Sequence, residues 1–205
     1  MGHPVPNVGP MEEGSPRRIE DTLFTVVDLE TTGFDPGKDR IVQMAAVVVD
    51  GKGTVVDSWD TVVRPESPEH YEHGAEHVHG ISREMVEKGM PLRDALHRIW
   101  SFTEGRVFTA HNARFDISFL EAESRRVGMD KKVEWHVDTL QLARMADQER
   151  SRKHSLQALC EHYGIERERA HEAMSDARAT ATILTKLLQE LGVRSTDQLS
   201  APPDA

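Results

Sequence analysis

Four acids and one histidine carry the chemical possibilities of this chain: Asp28, Glu30, Asp116, Asp176 and His171. Asp28 and Glu30 end an apolar run, Leu23, Phe24, Val26 and Val27, that reads as a strand buried on both faces. In a strand, residues i and i+2 point the same way, so both carboxylates leave one face just before a Thr31-Thr32-Gly33 turn. Like charges so close repel unless a cation lies between them, and an all-oxygen donor set suits Mg²⁺ or Mn²⁺. Ligands also gather at the carboxyl ends of strands in sheets flanked by helices. The competing reading is a solvated strand end with two surface acids, because an Asp-x-Glu pair alone is common. Asp116 falls in the first turn of a helix, where the dipole favours an ionised carboxylate. Asp176 opens the last helix beside its apolar stripe, where a carboxylate is costly to bury unless paired or metal-bound.

The elements that must position these residues are legible in outline. Residues 40–50 form a second strongly apolar strand, Gly51 to Gly53 supply a turn, and residues 54–64 alternate through Val55, Trp59 and Val63. Three sequential strands with short joints predict an antiparallel meander. Ser82 caps a short helix, and Pro91 opens another whose Leu92, Ala95, Leu96 and Ile99 share a face. A strand over residues 106–110 runs into the helix that carries Asp116. Residues 133–138 read as a strand and 139–146 as a helix; Ser155 caps a further helix over 156–163, closed by Gly164. Ala177, Ala181, Leu184, Leu188 and Leu191 give the last helix a clean amphipathic stripe.

Composition bounds the class. A 205-residue chain with 38% hydrophobic and 29% charged residues suits one globular domain with short tails. Its one cysteine, Cys160, excludes an internal disulfide and sits on an apolar helix face as a buried thiol. No apolar run reaches membrane-spanning length and no signal-peptide layout opens the chain, so the expected setting is cytoplasmic, with no membrane partner. A net charge of −10 argues against a broad nucleic-acid-coating face, yet leaves room for an enzyme that grips a few phosphates locally. The tract holding His70, His73, His77 and His79 matches no closed zinc spacing and reads as loop histidines. Residues 1–20 read as a disordered tail, 21–192 as the domain and 193–205 as a flexible tail.

The order and local sequence of the five residues resemble the DEDDh family of 3′–5′ exonucleases. VVDLETTG looks like its first motif, HNARFD its second and HEAMSD its third. Within that family the chain is most similar to the proofreading epsilon subunit of bacterial DNA polymerase III and its stand-alone relatives, with support from HVHGIS, VDTLQLAR and HSLQALCEHYGI. The likeness covers about residues 22–191. It implies an α/β, RNase H-like fold, a mixed five-stranded sheet of an antiparallel meander plus parallel strands, flanked by helices. It implies two divalent ions, Mg²⁺ or Mn²⁺, held by Asp28, Glu30 and Asp176 with Asp116 completing the set, and His171 as general base toward the attacking water. Substrate contacts would fall to Leu29, Thr31, Thr32, Gly33, Phe34, His111, Asn112 and Phe115, and to Arg150, Arg152 and Lys153 of a basic loop.

The expected activity is hydrolysis at the 3′ ends of single-stranded or frayed DNA, releasing nucleoside 5′-monophosphates in proofreading or repair. An RNA 3′-trimming enzyme of the same family is the near alternative, since the same five residues serve both. A catalytically inactive polymerase-associated scaffold is the alternative of another class, and the intact acid set with His171 counts against it. The epsilon subunit tethers to its polymerase by a C-terminal segment, and little chain follows Leu191 here, which counts against a stable polymerase complex. Gln198-Leu199-Ser200 begins like a sliding-clamp peptide but continues Ala-Pro, and reads as chance.

Overall fold

The computed structural model describes residues 16–67 and 71–199. Six strands form one mixed sheet: β1 (Leu23–Thr31), β2 (Ile41–Asp50), β3 (Val55–Arg64), β4 (Met90–Pro91), β5 (Val107–Ala110) and β6 (His136–Asp138), in the order β4-β3-β2-β1-β5-β6. β1 to β3 make the antiparallel meander, while β5 runs parallel to β1 and β6 parallel to β5. These are the expected strands. β4 is an addition, two residues parallel to Val63 and Arg64 at the sheet edge. Two residues are too few to show alternation, so the sequence carried no sign of it.

The helices are α1 (Glu76–His79), α2 (Arg83–Glu87), α3 (Leu92–Thr103), α4 (Ala113–Arg126), α5 (Thr139–Ala146), α6 (Leu156–Tyr163) and α7 (Ala173–Glu190). Local chemistry sets their ends. Ser82 and Ser155 accept the Met85 and Ala158 amides as N-caps, Asp138 caps α5 through the Leu140 amide, and Gly164 closes α6 at φ 65°. Among the described residues no helix is long and apolar enough to cross a membrane.

Strand parity divides the core. Phe24 and Val26 of β1, with Ala45, Val47 and Val49 of β2, pack against α5, α6 and α7. Val27 and Leu29, with Met44, Ala46 and Val48, pack against α3 and α4. Both faces of β1 and β2 are therefore buried, which is why their sequences read as continuous apolar runs. Asp28 and Glu30 share the parity of Phe24 and Val26, so they emerge on the α7 side.

The tail boundaries need correction. Arg18 forms an antiparallel bridge with Ser195, the Ile19 amide donates to Arg194 O at 2.9 Å, and the Thr196 amide to Arg17 O at 2.9 Å. Ile19 and Leu199 are buried in the α7-side core, so residues 16–20 and 193–199 belong to the domain. The two segments order each other across the whole chain length, a contact without local periodicity. The remaining tail residues, 1–15 and 200–205, lie outside the described residues, as does His70.

The histidine tract departs from a plain loop. His73 bridges Tyr71 Oη at 3.1 Å and Glu76 Oε2 at 3.0 Å. His79 Nδ1 accepts the Ile81 amide at 3.0 Å, which leaves its other nitrogen to donate to Gly74 O at 3.3 Å. A Cβ on Gly74 would lie 2.3 Å from Thr32 O, so only glycine lets this segment lie against the turn that follows β1.

Candidate active site

The carboxyl ends of β1, β5 and β6 open on one side of the sheet, and the chain delivers an acid at each. Asp28 and Glu30 stand opposite Ala45 and Gln43 in β1, with a register shift just after Glu30 that ends the regular pairing. β5 passes through His111 and Asn112 into the first turn of α4, where Asp116 is buried. Asp176 is buried in the first turn of α7, and His171 lies exposed just ahead of that helix at φ 60°.

One ligand atom from each of Glu30, His171 and Asp176 lies within 4.8 Å of the others. Among the described residues this is the only such grouping of three metal-competent side chains, and the histidine tract makes none. Asp28 joins electrostatically: burial, then Asp116, Glu30 and Asp176, push its carboxyl well above the ordinary range. Burial, then Asp176, raises Glu30 to about 7. Burial raises Asp116 as well, with Asp138 and Glu30 adding to it and the amides of Asp116 itself and Leu29 opposing. Carboxyls so disfavoured as anions are short of positive charge. The oxygen donors therefore fit divalent cations, hard ligands converging from β1 and α7 with the His171 imidazole beside them.

The turn after β1 is built by its own side chains. Thr31 Oγ1 donates to Gly33 O at 2.6 Å, and Thr32 Oγ1 accepts the Arg40 amide at 3.0 Å. Asp39 fills the space beside Gly33, where a Cβ would lie 2.4 Å from its Oδ2, and that oxygen accepts the Asp35 amide at 2.8 Å. Thr31, Thr32 and Leu29 are buried and form the floor under the turn. Phe34 differs. It is 90% exposed and meets Phe115 edge-on at 6.4 Å, and Phe115 in turn packs on Phe119 at 4.9 Å, an aromatic ladder from rim to core.

His111 is a strut. Its Nδ1 bonds Thr139 Oγ1 at 2.9 Å, and burial lowers its pKa. Asn112 adopts φ 66° and gives its amide to Asp138 Oδ1 at 2.9 Å, leaving its side chain exposed. In the basic loop Arg150 and Lys153 are exposed, but Arg152 is tied to His162 at 3.0 Å and Glu190 at 3.4 Å and braces α6 against α7.

Sequence reasoning missed four contributors. Gln43, opposite Glu30, accepts the Ala173 amide on its Oε1 at 3.2 Å and so caps α7, whose own N-cap residue Glu172 makes no such bond. Arg126 pairs with buried Glu123 at 3.1 Å and donates to Pro36 O and Gly37 O, clamping the Phe34 loop onto α4. Asp138 holds the entry to α4. Arg167 donates to Asp176 Oδ1 at 2.9 Å. Gln43, Arg126 and Asp138 reach residues 26 to 130 positions away, Arg167 reaches Asp176 nine positions on across a loop, and only the position of Asp138 before a predicted helix left a trace in the sequence.

With this geometry established, residues 25–184 match the RNase_T exonuclease family, and the chain belongs to that family of nuclease hydrolases. Its members depend on divalent metal. The chain is 30% identical over 203 residues to a DNA polymerase III PolC-type of Caldanaerobacter subterraneus subsp. tengcongensis, covering 98% of this chain and 14% of the relative. It is 35% identical over 175 residues to the PolC-type polymerase of Oceanobacillus iheyensis, covering 85% of this chain and 12% of that protein. The chain thus spans about an eighth of these relatives. E. coli Exonuclease I, solved with a dT13 oligonucleotide, superimposes with a TM-score of 0.70 at 22% identity over 84% of this chain and 42% of that one. Exonuclease X, solved with 5′-overhanging duplex DNA, gives a TM-score of 0.64 at 24% identity over 82% of this chain and 93% of that one. These likenesses to solved structures show the shared RNase H-like fold.

Proposed function

We propose that this chain is a 3′–5′ exonuclease that hydrolyses the terminal phosphodiester of single-stranded or frayed DNA and releases a nucleoside 5′-monophosphate. The observation that carries the reading is the convergence of Glu30, His171 and Asp176 within 4.8 Å, beside Asp28 and Asp116, at one end of the sheet. Asp28, Glu30 and Asp176, with Asp116, would hold Mg²⁺ or Mn²⁺. Such ions, when bound, supply the positive charge that acidifies the attacking water and steadies the leaving 3′-oxygen.

The side chains do the rest. His171, exposed at the mouth of the cluster, accepts the proton from the water as it attacks phosphorus. The bond from phosphorus to the 3′-oxygen breaks, and that oxygen takes a proton from solvent to become the 3′-hydroxyl of the shortened strand. Phe34, buttressed by Phe115, offers a flat apolar surface on which a terminal base stacks. Arg150 and Lys153 are free to meet backbone phosphates. Likeness to PolC-type polymerases supports work on mispaired 3′ ends near DNA synthesis, in a bacterial cytoplasm.

A 5′-labelled single-stranded DNA and its RNA counterpart, incubated with Mg²⁺, Mn²⁺ or EDTA, provide the test. The expected result is a metal-dependent ladder from the DNA 3′ end that Asp28→Ala abolishes. A ladder on RNA alone overturns the DNA assignment, and no ladder on either from folded protein overturns the catalytic reading.

A further inference from the structure

Both oxygens of Asp176 are engaged. Oδ1 accepts Nη1 of Arg167 at 2.9 Å, and Oδ2 accepts the His171 amide at 3.2 Å. The pair is sealed from solvent, with side-chain exposures of 8% for Arg167 and 7% for Asp176. The other guanidinium nitrogen, Nη2, bonds Gln157 Oε1 on α6. The loop over 165–172 that supplies Arg167 also carries His171 and is pinned to α7 by the Arg169 amide on Ser175 Oγ at 3.2 Å. A guanidinium therefore stands within the cluster of carboxylates, paired with one of the acids that the metal reading needs.

A carboxylate oxygen has lone pairs for more than one partner, but a guanidinium and a divalent ion on one buried carboxylate repel each other strongly, because little solvent screens them there. One must yield. The Gln157 bond gives Arg167 an anchor from which Nη1 can leave Asp176 without the loop unfolding.

We propose that Arg167 is an internal counter-cation that holds Asp176 in the metal-free protein and is displaced when a divalent ion binds, so that it sets the metal affinity of the site. It is a positioning residue, acting through Asp176 and through the loop that carries His171. In the metal-free state it holds Asp176 aimed into the cluster. Metal affinity is lowered by the work of parting the ion pair, which makes occupancy responsive to metal concentration. The inference rests on the metal-dependent reading above.

The test is calorimetric titration of Mn²⁺ into metal-free protein, with thermal unfolding in chelator alongside. Arg167→Met removes the charge and keeps the length of the side chain; Arg167→Lys keeps the charge. Arg167→Met should bind Mn²⁺ on the order of tenfold more tightly and melt at a lower temperature without metal, while Arg167→Lys stays near wild type in both. A merely structural role would weaken metal binding together with the fold, not tighten it. Wild-type binding with an unchanged or weaker affinity in folded Arg167→Met overturns this inference alone. Absence of Mn²⁺ binding by the wild-type protein at millimolar concentration overturns the metal reading and this inference with it.

Discussion

Two sets of carboxyls in the same domain are treated in opposite ways. Asp147, just past α5, is buried and surrounded by donors: the Ser151 amide at 3.0 Å and hydroxyl at 2.8 Å, the Arg152 amide at 3.1 Å and the His154 ring at 2.9 Å. Burial alone would raise its pKa, but these bonds outweigh it and hold the carboxyl well below the usual carboxylate range. At the ends of β1 and α4 the balance is reversed. Asp28, Glu30 and Asp116 are pushed up by burial and by one another. Asp147 is a finished hub that organises the basic loop. The strand-end acids are an unfinished one, stable as anions only when something positive arrives.

Asp28→Asn should break the comparison most sharply. Activity on labelled single-stranded DNA should fall on the order of 10³-fold, the scale of several kcal/mol of lost transition-state stabilisation. Unfolding without metal at pH 8 should nonetheless move upward in temperature, because a carboxyl whose ionisation burial and its neighbours oppose has gone. A loss of metal-free stability would show that Asp28 is held by donors as Asp147 is. His171→Ala should lower turnover by about 10²–10⁴-fold while leaving Mn²⁺ able to bind, read by rate assay and calorimetry.

Asp147→Asn should do the converse. It strands the donors of Ser151, Arg152 and His154, so thermal unfolding should drop by several degrees while Mn²⁺ affinity stays within about twofold of wild type. A large change in metal affinity would mean that the two regions are not separate.

Stability as a function of pH should separate them without mutation. A carboxyl raised by folding is protonated in the native state where the unfolded chain has already ionised, so stability falls as pH rises from about 4.5 through about 7, the window set by Glu30. A carboxyl depressed by folding contributes stability above its unfolded value and loses it as pH falls below 3.8, the window of Asp147. Metal-free protein should therefore melt highest near pH 5 and about 5 °C lower at pH 8. Saturating Mn²⁺ should remove the fall. Equal melting temperatures at pH 5 and 8 in the absence of metal would contradict the strand-end electrostatics. The smallest effect belongs to Gln43→Ala, which removes one cap from α7 and should lower stability by about 1 kcal/mol in denaturant titration.

Much of the frame was legible because its signals are local. The alternation that puts Asp28 and Glu30 on one face repeats every two residues, and the α7 stripe beside Asp176 repeats every three or four. Serine caps, the Gly164 stop and the acid motifs in order sit within a few positions of what they control. The substrate-contact set was less legible. The Thr31-Thr32-Gly33-Phe34 turn read as a place where backbone groups approach a terminal nucleotide, but the bonds that shape it, Thr31 Oγ1 to Gly33 O and the Arg40 amide to Thr32 Oγ1, had no sign in the sequence. Arg152 read, with Arg150 and Lys153, as part of a basic loop placed like the family's, and its bond to Glu190 on α7 left no local signal.

The sequence by itself determined the kind of elements, their order, and which five residues they bring to the end of the sheet, since periodicity and capping act over a single turn or a pair of strand residues. Only the tertiary structure decided what those residues meet. The Gln43 cap on α7, the Arg126 clamp on the Phe34 loop and the joining of residues 16–20 to 193–199 depend on long-range packing, and the pairing of Arg167 with Asp176 depends on how the loop between them folds back on α7. Side chains brought together in this way leave no period in the sequence, because what selects them is the shape and charge of a space that exists only after the chain has folded.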